Sequence, residues 1–157
     1  MNASDKRMIL LIGIQASGKS SFCREYLSDM THISLDDLKT RYREKKQIEE
    51  AISKGLSLVI DNTNPTRKDR EKYISQGKAN GYIVCGYYLQ SSIADCIARN
   101  ELRERGARIP RNAIAHTHRI LELPDYAEGF DQLFYVRLGE NGFIIEPWAD
   151  EEAQNGI

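Results

Sequence analysis

The sequence lacks the features that mark membrane-spanning, secreted and zinc-stabilised proteins. None of its 157 residues lie in an apolar run that approaches the roughly twenty residues of a transmembrane helix. The first residues, "MNASDKR", are polar, and the apolar run after them is about six residues long, too short for a signal peptide. Cys23, Cys85 and Cys96 are odd in number and lack C-x-x-C spacing. We therefore expect a cytoplasmic protein that does not enter membranes and whose reduced thiols pack in its core.

Net charge is also nearly absent, at −1, so the surface as a whole does not attract nucleic acid. Charge is nevertheless uneven along the chain. Residues 39–46 carry five basic residues against one acid, residues 97–119 carry six arginines against two acids, and the chain from Gly139 carries five acids and no base. Basic runs are usually solvated helix faces, an explanation that suits 39–46 better than 97–119, where arginines surround a loop.

Internal repeats and low-complexity linkers are absent too, and the length fits one domain over residues 1–157. Its core is predicted at about 8–138, followed by an acidic tail from 139 to 157 that packs on the sheet or extends away from it. Alternating strands and helices predict an α/β fold with a parallel sheet and helices on both faces. The predicted strands are 8–12, 31–34, 56–61, 82–89 and 132–138, and the predicted helices are 19–28, 36–55, 67–79, 92–104 and 112–123.

A glycine-rich loop follows the first predicted strand. Met8 to Ile12 is a short apolar run, typical of a strand buried on both faces, and G-x-x-x-x-G-K-S follows it. Strand, loop and helix in this order would direct backbone N–H groups and a positive helix end at a nucleotide phosphate. Lys19 would contact the β and γ phosphates of ATP, and the Ser20 hydroxyl would bind Mg²⁺. The predicted cofactor-binding residues here are Gly13, Ala16, Ser17, Gly18, Lys19, Ser20 and Ser21.

Acidic residues follow two other predicted strands, at the sheet edge where ligands of such folds bind. Asp61 ends a buried strand and would bind a magnesium-bound water or the loop serine. Asp36 follows the second strand and would be free to act as general base towards an acceptor hydroxyl. The alternative for Asp36 is a structural one, because acids are also common in the first turn of a helix.

Arginines are predicted to complete the site. Phosphoryl transfer spreads negative charge over the γ-phosphate oxygens, and kinases often supply arginines from a lid. Arg99 and Arg103 are four residues apart and share a helix face, and Arg105 and Arg108 lie in the loop that follows. The alternative is a solvated basic surface.

Five segments resemble the 5′-kinase domain of the polynucleotide kinase family in order and spacing. They are "GIQASGKSSF", "SLDDLK", "LVIDNTNPTRKDR", "ARNELRERGARIP" and "LPDYAEGFDQLFYV". Many ATPases share the phosphate loop, whereas "DNTNP" and the ending from Pro124 to Asp131 are far more particular. The resemblance implies transfer of the ATP γ-phosphate to the 5′-hydroxyl of DNA or RNA. It also implies a P-loop kinase three-layer sandwich, with five parallel strands in the order 2-3-1-4-5, an arginine-rich lid and no zinc.

The resemblance also implies roles for single residues. Lys19 and Ser20 match the phosphate and magnesium residues, Asp36 matches the general base, and Asp61 matches the acid after the third strand. The magnesium ligands are thus predicted to be Ser20 and Asp61.

The register of the lid stays open. When residues are counted forward from the "RN" of Arg99 and Asn100, Arg103 best matches the catalytic lid arginine of the family. When they are counted back from Ile109 and Pro110, Arg105 matches it instead. Arg99 matches a nucleotide-contacting position. The predicted cofactor-binding arginines are Arg99 and Arg103, and the predicted catalytic residues are Asp36, Lys19, Arg103 and Arg105.

The chain departs from the family pattern on the acceptor side. Leu35 precedes the base where the family often has arginine, and Lys39, a less specific point charge, stands where phage-type enzymes bind the acceptor phosphate with arginine. The predicted substrate-binding residues are Asp36, Lys39, Asn62, Asn64 and Arg108. The repair enzymes also carry a phosphatase domain for which this chain has no room. Two interpretations stay open: a stand-alone kinase, or a domain of a larger protein in which a partner domain or protein supplies phosphatase or ligase activity.

Two other functions remain open from the sequence. A kinase that phosphorylates a sugar, a nucleoside or another metabolite would use the same loop, base and lid. A regulatory module that hydrolyses ATP without an acceptor would bind the nucleotide but would have no obvious use for Asp36. His116 and His118 point to different faces of their predicted helix and are predicted to be ordinary helix residues.

Overall fold

Six strands and six α-helices alternate through residues 5–149, the part of the chain that this computed structural model describes. The helices and strands fall close to their predicted positions. In chain order they are β1 (Arg7–Ile12), α1 (Lys19–Tyr26), β2 (Thr31–Ile33), α2 (Leu35–Leu38), α3 (Arg41–Ser53), β3 (Leu58–Ile60), α4 (Arg67–Ala79), β4 (Ile83–Leu89), α5 (Ile93–Glu101), α6 (Arg111–Ile120), β5 (Gln132–Gly139) and β6 (Gly142–Pro147), with 3₁₀ turns at Arg105–Ala107 and Tyr126–Glu128.

The strands form one sheet in the order β2-β3-β1-β4-β5-β6. The first five are parallel and confirm the predicted order 2-3-1-4-5. The prediction of only five strands was wrong, because β6 adds an antiparallel edge strand from within the predicted acidic tail. Gly139 pairs with Gly142, whose φ of 117° suits a tight hairpin, so the sequence "GENG" was an overlooked turn signal.

The single helix predicted over 36–55 is also wrong, because it is divided into α2 and α3. Lys39 ends α2 with a left-handed φ of 71°. Thr40 then caps α3, its side chain accepting a hydrogen bond from the Arg43 backbone N–H at 3.1 Å. The break leaves Asp36 on a four-residue helix directly after β2.

Apolar residues of β1 supply both faces of the sheet. Met8, Leu10 and Ile12 pack with residues of α3 and α4 on one face, and Ile9 and Leu11 pack with residues of α1 on the other. This gives the three layers of a P-loop kinase fold. Within residues 5–149, no helix has both the length and the hydropathy needed to cross a membrane.

A buried ion pair ties the turn after β3 to the turn before β5. Arg70 in α4 is fully buried and donates two hydrogen bonds to the Glu128 carboxylate, at 2.8 and 3.0 Å. A third bond runs from Arg70 Nη1 to the Asn64 carbonyl oxygen at 2.9 Å. The "DNTNP" and "EGFD" segments, distant in sequence, are thus joined through one arginine.

Replacing Arg70 with methionine should strongly destabilise the fold. The Glu128 carboxylate would lose its partner, and breaking a buried pair costs about 3–5 kcal/mol of unfolding free energy. Chemical denaturation followed by circular dichroism would measure the loss. Adding Glu128→Gln should recover part of it, because that change removes the uncompensated charge.

The matched control is Lys54→Met, which breaks an exposed ion pair with Glu50. Glu50 lies in α3, and Lys54 directly follows the helix. This change should leave the unfolding midpoint unchanged. An Arg70→Met variant as stable as this control would contradict an anchoring role.

Candidate active site

A cavity of about 490 Å³ opens at the carboxyl ends of β1, β2 and β3. Its walls are the glycine-rich loop, the start of α2, the turn at residues 61–65, α4, the segment after α5, and α6. Lys19, Ser20, Asp36, Asp61 and Arg103 all line it. The structure thus brings together residues from four segments that lie far apart in the sequence.

The glycine-rich loop folds around the Lys19 side chain. Lys19 Nζ donates hydrogen bonds to the carbonyl oxygens of Gly13, at 3.0 Å, and Ile14, at 2.8 Å. Gly18 has a left-handed φ of 103°, and a Cβ there would approach the Phe143 ring to 3.3 Å. Both constraints favour glycine at this position.

Burial lowers the pKa of Lys19 to about 8. The negative charges of Asp61 and Asp36 act in the opposite direction, but their effect is smaller than that of burial. An ammonium group in such surroundings is poorly solvated and gains from a further anion. Nucleotide phosphates would supply that anion, and the loop N–H groups would share their charge.

Ser20 and Asp61 form a pair of oxygen ligands beside the lysine. The Ser20 hydroxyl donates to Asp61 Oδ2 at 3.0 Å, and Asp61 is only 6 % exposed. Hydroxyl and carboxylate oxygens are the ligands that Mg²⁺ takes at nucleotide sites, so these residues fit the metal. Within residues 5–149 there is no cluster of three or more His, Cys, Asp or Glu residues with the arrangement of an all-protein metal site.

His32, which the sequence analysis did not single out, also contacts Asp61. Its Nε2 lies 2.8 Å from Asp61 Oδ2, the oxygen that already accepts from Ser20. The hydrogen bond to Asp61 raises the pKa of His32. A lone histidine in a three-residue strand carries no motif, so no sequence signal could have found this contact.

Asp36 lines the cavity and has an exposed side chain. In residues 5–149 its carboxylate is engaged in no hydrogen bond or ion pair. Its negative charge acts on Lys19 across the cavity. The geometry therefore leaves Asp36 available to a bound ligand.

A buried polar network holds the short helix that carries Asp36. The Leu35 backbone N–H donates to Asn62 Oδ1 at 2.9 Å, and Asn62 Nδ2 donates to Glu44 Oε2 at 2.8 Å. Glu44 is buried and also accepts from the Tyr73 hydroxyl at 2.7 Å. Burial, followed by the bond to Glu44, raises the pKa of Tyr73 well above its usual range. Asn62 therefore positions α2.

The spacing of α3 contained a signal for the buried Glu44. Glu44, Ile48 and Ala51 lie on one helix face, and all three are buried. An acid in line with apolar core positions indicates a buried carboxylate that needs partners.

Arg41, rather than the predicted Lys39, lines the cavity near Asp36. Its Nη1 lies 3.3 Å from Glu44 Oε1 and 3.1 Å from the Tyr73 hydroxyl. Lys39 ends α2 with a left-handed backbone and is not among the lining residues. The break between α2 and α3 thus changes which cation reaches the cavity.

The lid arginines occupy different positions. Arg103, Arg105 and Arg108 all have exposed side chains, but of the three only Arg103 lines the cavity. Arg108 Nε donates to the Arg103 carbonyl oxygen at 2.8 Å, and Arg99 Nη1 donates to the Ala16 carbonyl oxygen at 2.6 Å. Arg99 therefore supports the phosphate loop, and Arg108 supports the backbone at Arg103.

The remaining predicted residues also have definite places. Asn64 lines the cavity but uses its side chain to donate to the Leu11 carbonyl oxygen at 2.8 Å. Ser21 lines the cavity beside Ser20, and Ser17 is buried beneath the loop. His116 and His118 lie on α6 and, within the described chain, belong to no group with the arrangement of a metal site.

Comparison with known proteins agrees with this geometry. A family model described as an AAA domain matches residues 8–124. The chain therefore belongs to this family, and its fold is that of a P-loop kinase domain.

Two curated relatives bear names that match the resemblance predicted from the sequence, and they confirm it. The chain is 34 % identical over 137 residues to a protein of Acanthamoeba polyphaga mimivirus named bifunctional polynucleotide phosphatase/kinase, covering 82 % of this chain and 32 % of that protein. It is 28 % identical over 132 residues to a protein of that name from Schizosaccharomyces pombe, covering 80 % and 32 %. The chain spans about a third of the length of these relatives.

Solved structures support the fold. The Pnkp1/Rnl/Hen1 RNA repair complex gives a TM-score of 0.63 at 17 % identity, with 74 % of this chain and 44 % of that chain covered. A gluconokinase from Sinorhizobium meliloti gives a TM-score of 0.57 at 20 % identity, with 83 % and 82 % covered. At these identities the likeness concerns the fold alone.

Replacing Lys19 with methionine should weaken ATP binding by about 10- to 100-fold, since a hydrogen bond to a charged group contributes about 1.5–3 kcal/mol. Isothermal titration calorimetry would measure the dissociation constant. Lys39→Met is the control, because Lys39 is a nearby lysine that does not line the cavity. An equal loss in both variants would show that net charge, and not the Lys19 contact, governs affinity.

Proposed function

We propose that this domain transfers the γ-phosphate of ATP to the 5′-hydroxyl of a polynucleotide. The observation that carries the proposal is the cavity itself, in which an unengaged Asp36 carboxylate faces the phosphate loop and Lys19. An acceptor alcohol between them would have its proton directed at a base and its oxygen directed at the γ-phosphorus.

The residues have distinct roles in this reaction. Asp36 accepts the proton of the acceptor hydroxyl while the hydroxyl oxygen forms a bond to the γ-phosphorus. The bond between the γ-phosphorus and the β–γ bridging oxygen breaks, which releases ADP. Lys19 and Arg103 stabilise the negative charge on the phosphoryl oxygens. Ser20 and Asp61 would hold magnesium, which when bound would supply positive charge to the phosphates of the nucleotide.

The cavity lining combines apolar and cationic groups. Leu35, Pro65, Ile109 and Ile120 line the cavity together with Arg41. Aliphatic walls suit the faces of a nucleobase, and a guanidinium group suits a phosphate. A nucleotide unit at a 5′ end offers both, and the names of the two relatives support the same acceptor.

Labelled-phosphate transfer from ATP would test the function. A single-stranded oligonucleotide with a 5′-hydroxyl should become labelled, and the same oligonucleotide with a 5′-phosphate should not. The KM for the oligonucleotide should rise with added salt, because a polyanionic acceptor releases counterions on binding. Labelling of gluconate or a nucleoside with no labelling of the oligonucleotide would favour a small-molecule kinase, and ATP hydrolysis without any labelled acceptor would favour a regulatory module.

Asp36→Asn should remove the base while keeping the size of the side chain. Transfer should fall by about 10²- to 10⁴-fold, the usual contribution of general base catalysis. The dissociation constant for ATP, measured by calorimetry, should stay within about threefold of the original value. A large loss of ATP binding would instead mean that Asp36 supports the nucleotide site.

Arg103→Ala should lower kcat by about 100-fold or more, because it removes a charge that faces the transferred group. Arg105→Ala is the matched control two residues away, on an exposed side chain outside the cavity. Steady-state kinetics would compare the two variants. A larger defect in Arg105→Ala would show that the lid changes register when it closes on ATP.

A further inference from the structure

His32 is the one histidine in the described chain that contacts the candidate phosphotransfer site. It is the middle residue of β2, and its Nε2 lies 2.8 Å from Asp61 Oδ2. Its other ring nitrogen, Nδ1, lies 3.9 Å from a carboxylate oxygen of Asp37. The imidazole ring is thus placed between two acids and spans the gap from the edge strand to the end of β3.

The contact restricts the orientation of the Asp61 carboxylate. Oδ2 accepts hydrogen bonds from both Ser20 Oγ and His32 Nε2, at 3.0 and 2.8 Å. Because one donor lies on α1 and the other on β2, the two hydrogen bonds restrict rotation of the carboxylate. The second oxygen, Oδ1, takes part in neither bond, and its position follows from that of Oδ2.

Within residues 5–149, the side-chain hydrogen bonds of Asp61 are those with Ser20 and His32. Its backbone is anchored by a hydrogen bond from Asp61 N to the Ile33 carbonyl oxygen at 2.8 Å. Of the two side-chain donors, Ser20 is itself a predicted magnesium ligand, and its oxygen can bind a metal through a lone pair while its O–H still donates to Asp61. His32 is the donor that has no other role in the metal site, so its contribution can be tested separately.

We infer that His32 is a positioning residue that orients Asp61 and thereby sets the magnesium affinity of the nucleotide complex. The inference rests on the magnesium and nucleotide site of the proposed function, and it is independent of the acceptor. It requires only a proton on Nε2, which both the appropriate neutral tautomer and the imidazolium ion carry. Residues that hydrogen-bond to a metal ligand and orient it commonly contribute about 10- to 100-fold to metal affinity.

Two substitutions separate the hydrogen bond from the bulk of the side chain. His32→Leu removes the donor and keeps an apolar side chain on the strand, whereas His32→Gln places an amide N–H close to the position of Nε2. His32 is part-exposed on an edge strand, so both changes are compatible with folding. His116→Leu is the control, because His116 is an exposed histidine of α6 outside the cavity.

Calorimetric titration of ADP at a series of magnesium concentrations tests the inference. In His32→Leu the magnesium concentration that gives half of the maximal gain in ADP affinity should rise about tenfold or more. ADP affinity in EDTA should be unchanged, His32→Gln should recover part of the effect, and His116→Leu should match the unmodified protein. An unchanged magnesium dependence in His32→Leu would overturn the inference.

Nitrogen-15 NMR of the unmodified protein gives a second, independent measurement. The His32 side chain should show a proton on Nε2 that is protected from exchange and remains so after addition of Mg²⁺ and ADP. Loss of this signal in the complex would overturn the inference. Neither measurement contains an acceptor, so failure of the polynucleotide assay and failure of this role for His32 can be told apart.

Discussion

The turn at residues 61–65 makes hydrogen bonds to the phosphate loop and to the starts of α1 and α2. Asp61 accepts from Ser20 at the start of α1, and the Thr63 carbonyl oxygen accepts from the Gly13 N–H at 3.0 Å. Asn62 holds α2 through the Leu35 N–H. The phosphate loop and the short helix that carries Asp36 are therefore held in fixed positions relative to one another by five consecutive residues.

The same turn is held from beneath by groups that are expensive to bury without partners. Asn64 has a left-handed φ of 45°, a conformation that asparagine tolerates, and its side chain and carbonyl bond to Leu11 and Arg70. Arg70 in turn pairs with Glu128. Because each buried polar group has a partner, displacement of the turn would leave several groups unsatisfied at once.

Much of the fold could be predicted from local pattern. The buried strand β1, the glycine-rich loop and the helix α4 each have strong signals in the sequence. Alternation of strands with helices predicts a parallel sheet, whereas the order of the strands was implied by the family resemblance. The errors lie where local chemistry overrode periodicity. Thr40 caps a new helix inside a basic run that has helical spacing throughout, and the "GENG" hairpin folds a segment whose acidity favoured a tail.

The site was predictable in its charged residues and less so in their supports. Lys19, Ser20, Asp36, Asp61 and Arg103 all line the cavity, because strand ends converge at one sheet edge. Lys39 and Arg41 illustrate the limit. Counting residues from Asp36 selects Lys39, but a left-handed residue at the end of α2 turns the chain so that the later cation faces inward. A count along the sequence cannot detect such a turn.

Buried polar groups around this cavity serve preorganisation more than stability. If stability alone mattered, the networks around Glu44 and Asp61 could be replaced as whole sets by apolar residues, since a buried ion pair roughly breaks even against well-packed hydrophobic side chains only when all its members are replaced. Both instead hold groups at the cavity edge, Glu44 through Asn62 and Asp61 through Ser20. Charge stabilisation in a transition state requires dipoles and cations that need not reorganise during the reaction. In the proposed reaction, the hydrogen-bonded network on the sheet side would supply groups that are already fixed, and the exposed side chain of Arg103 would supply a further cation at the cavity.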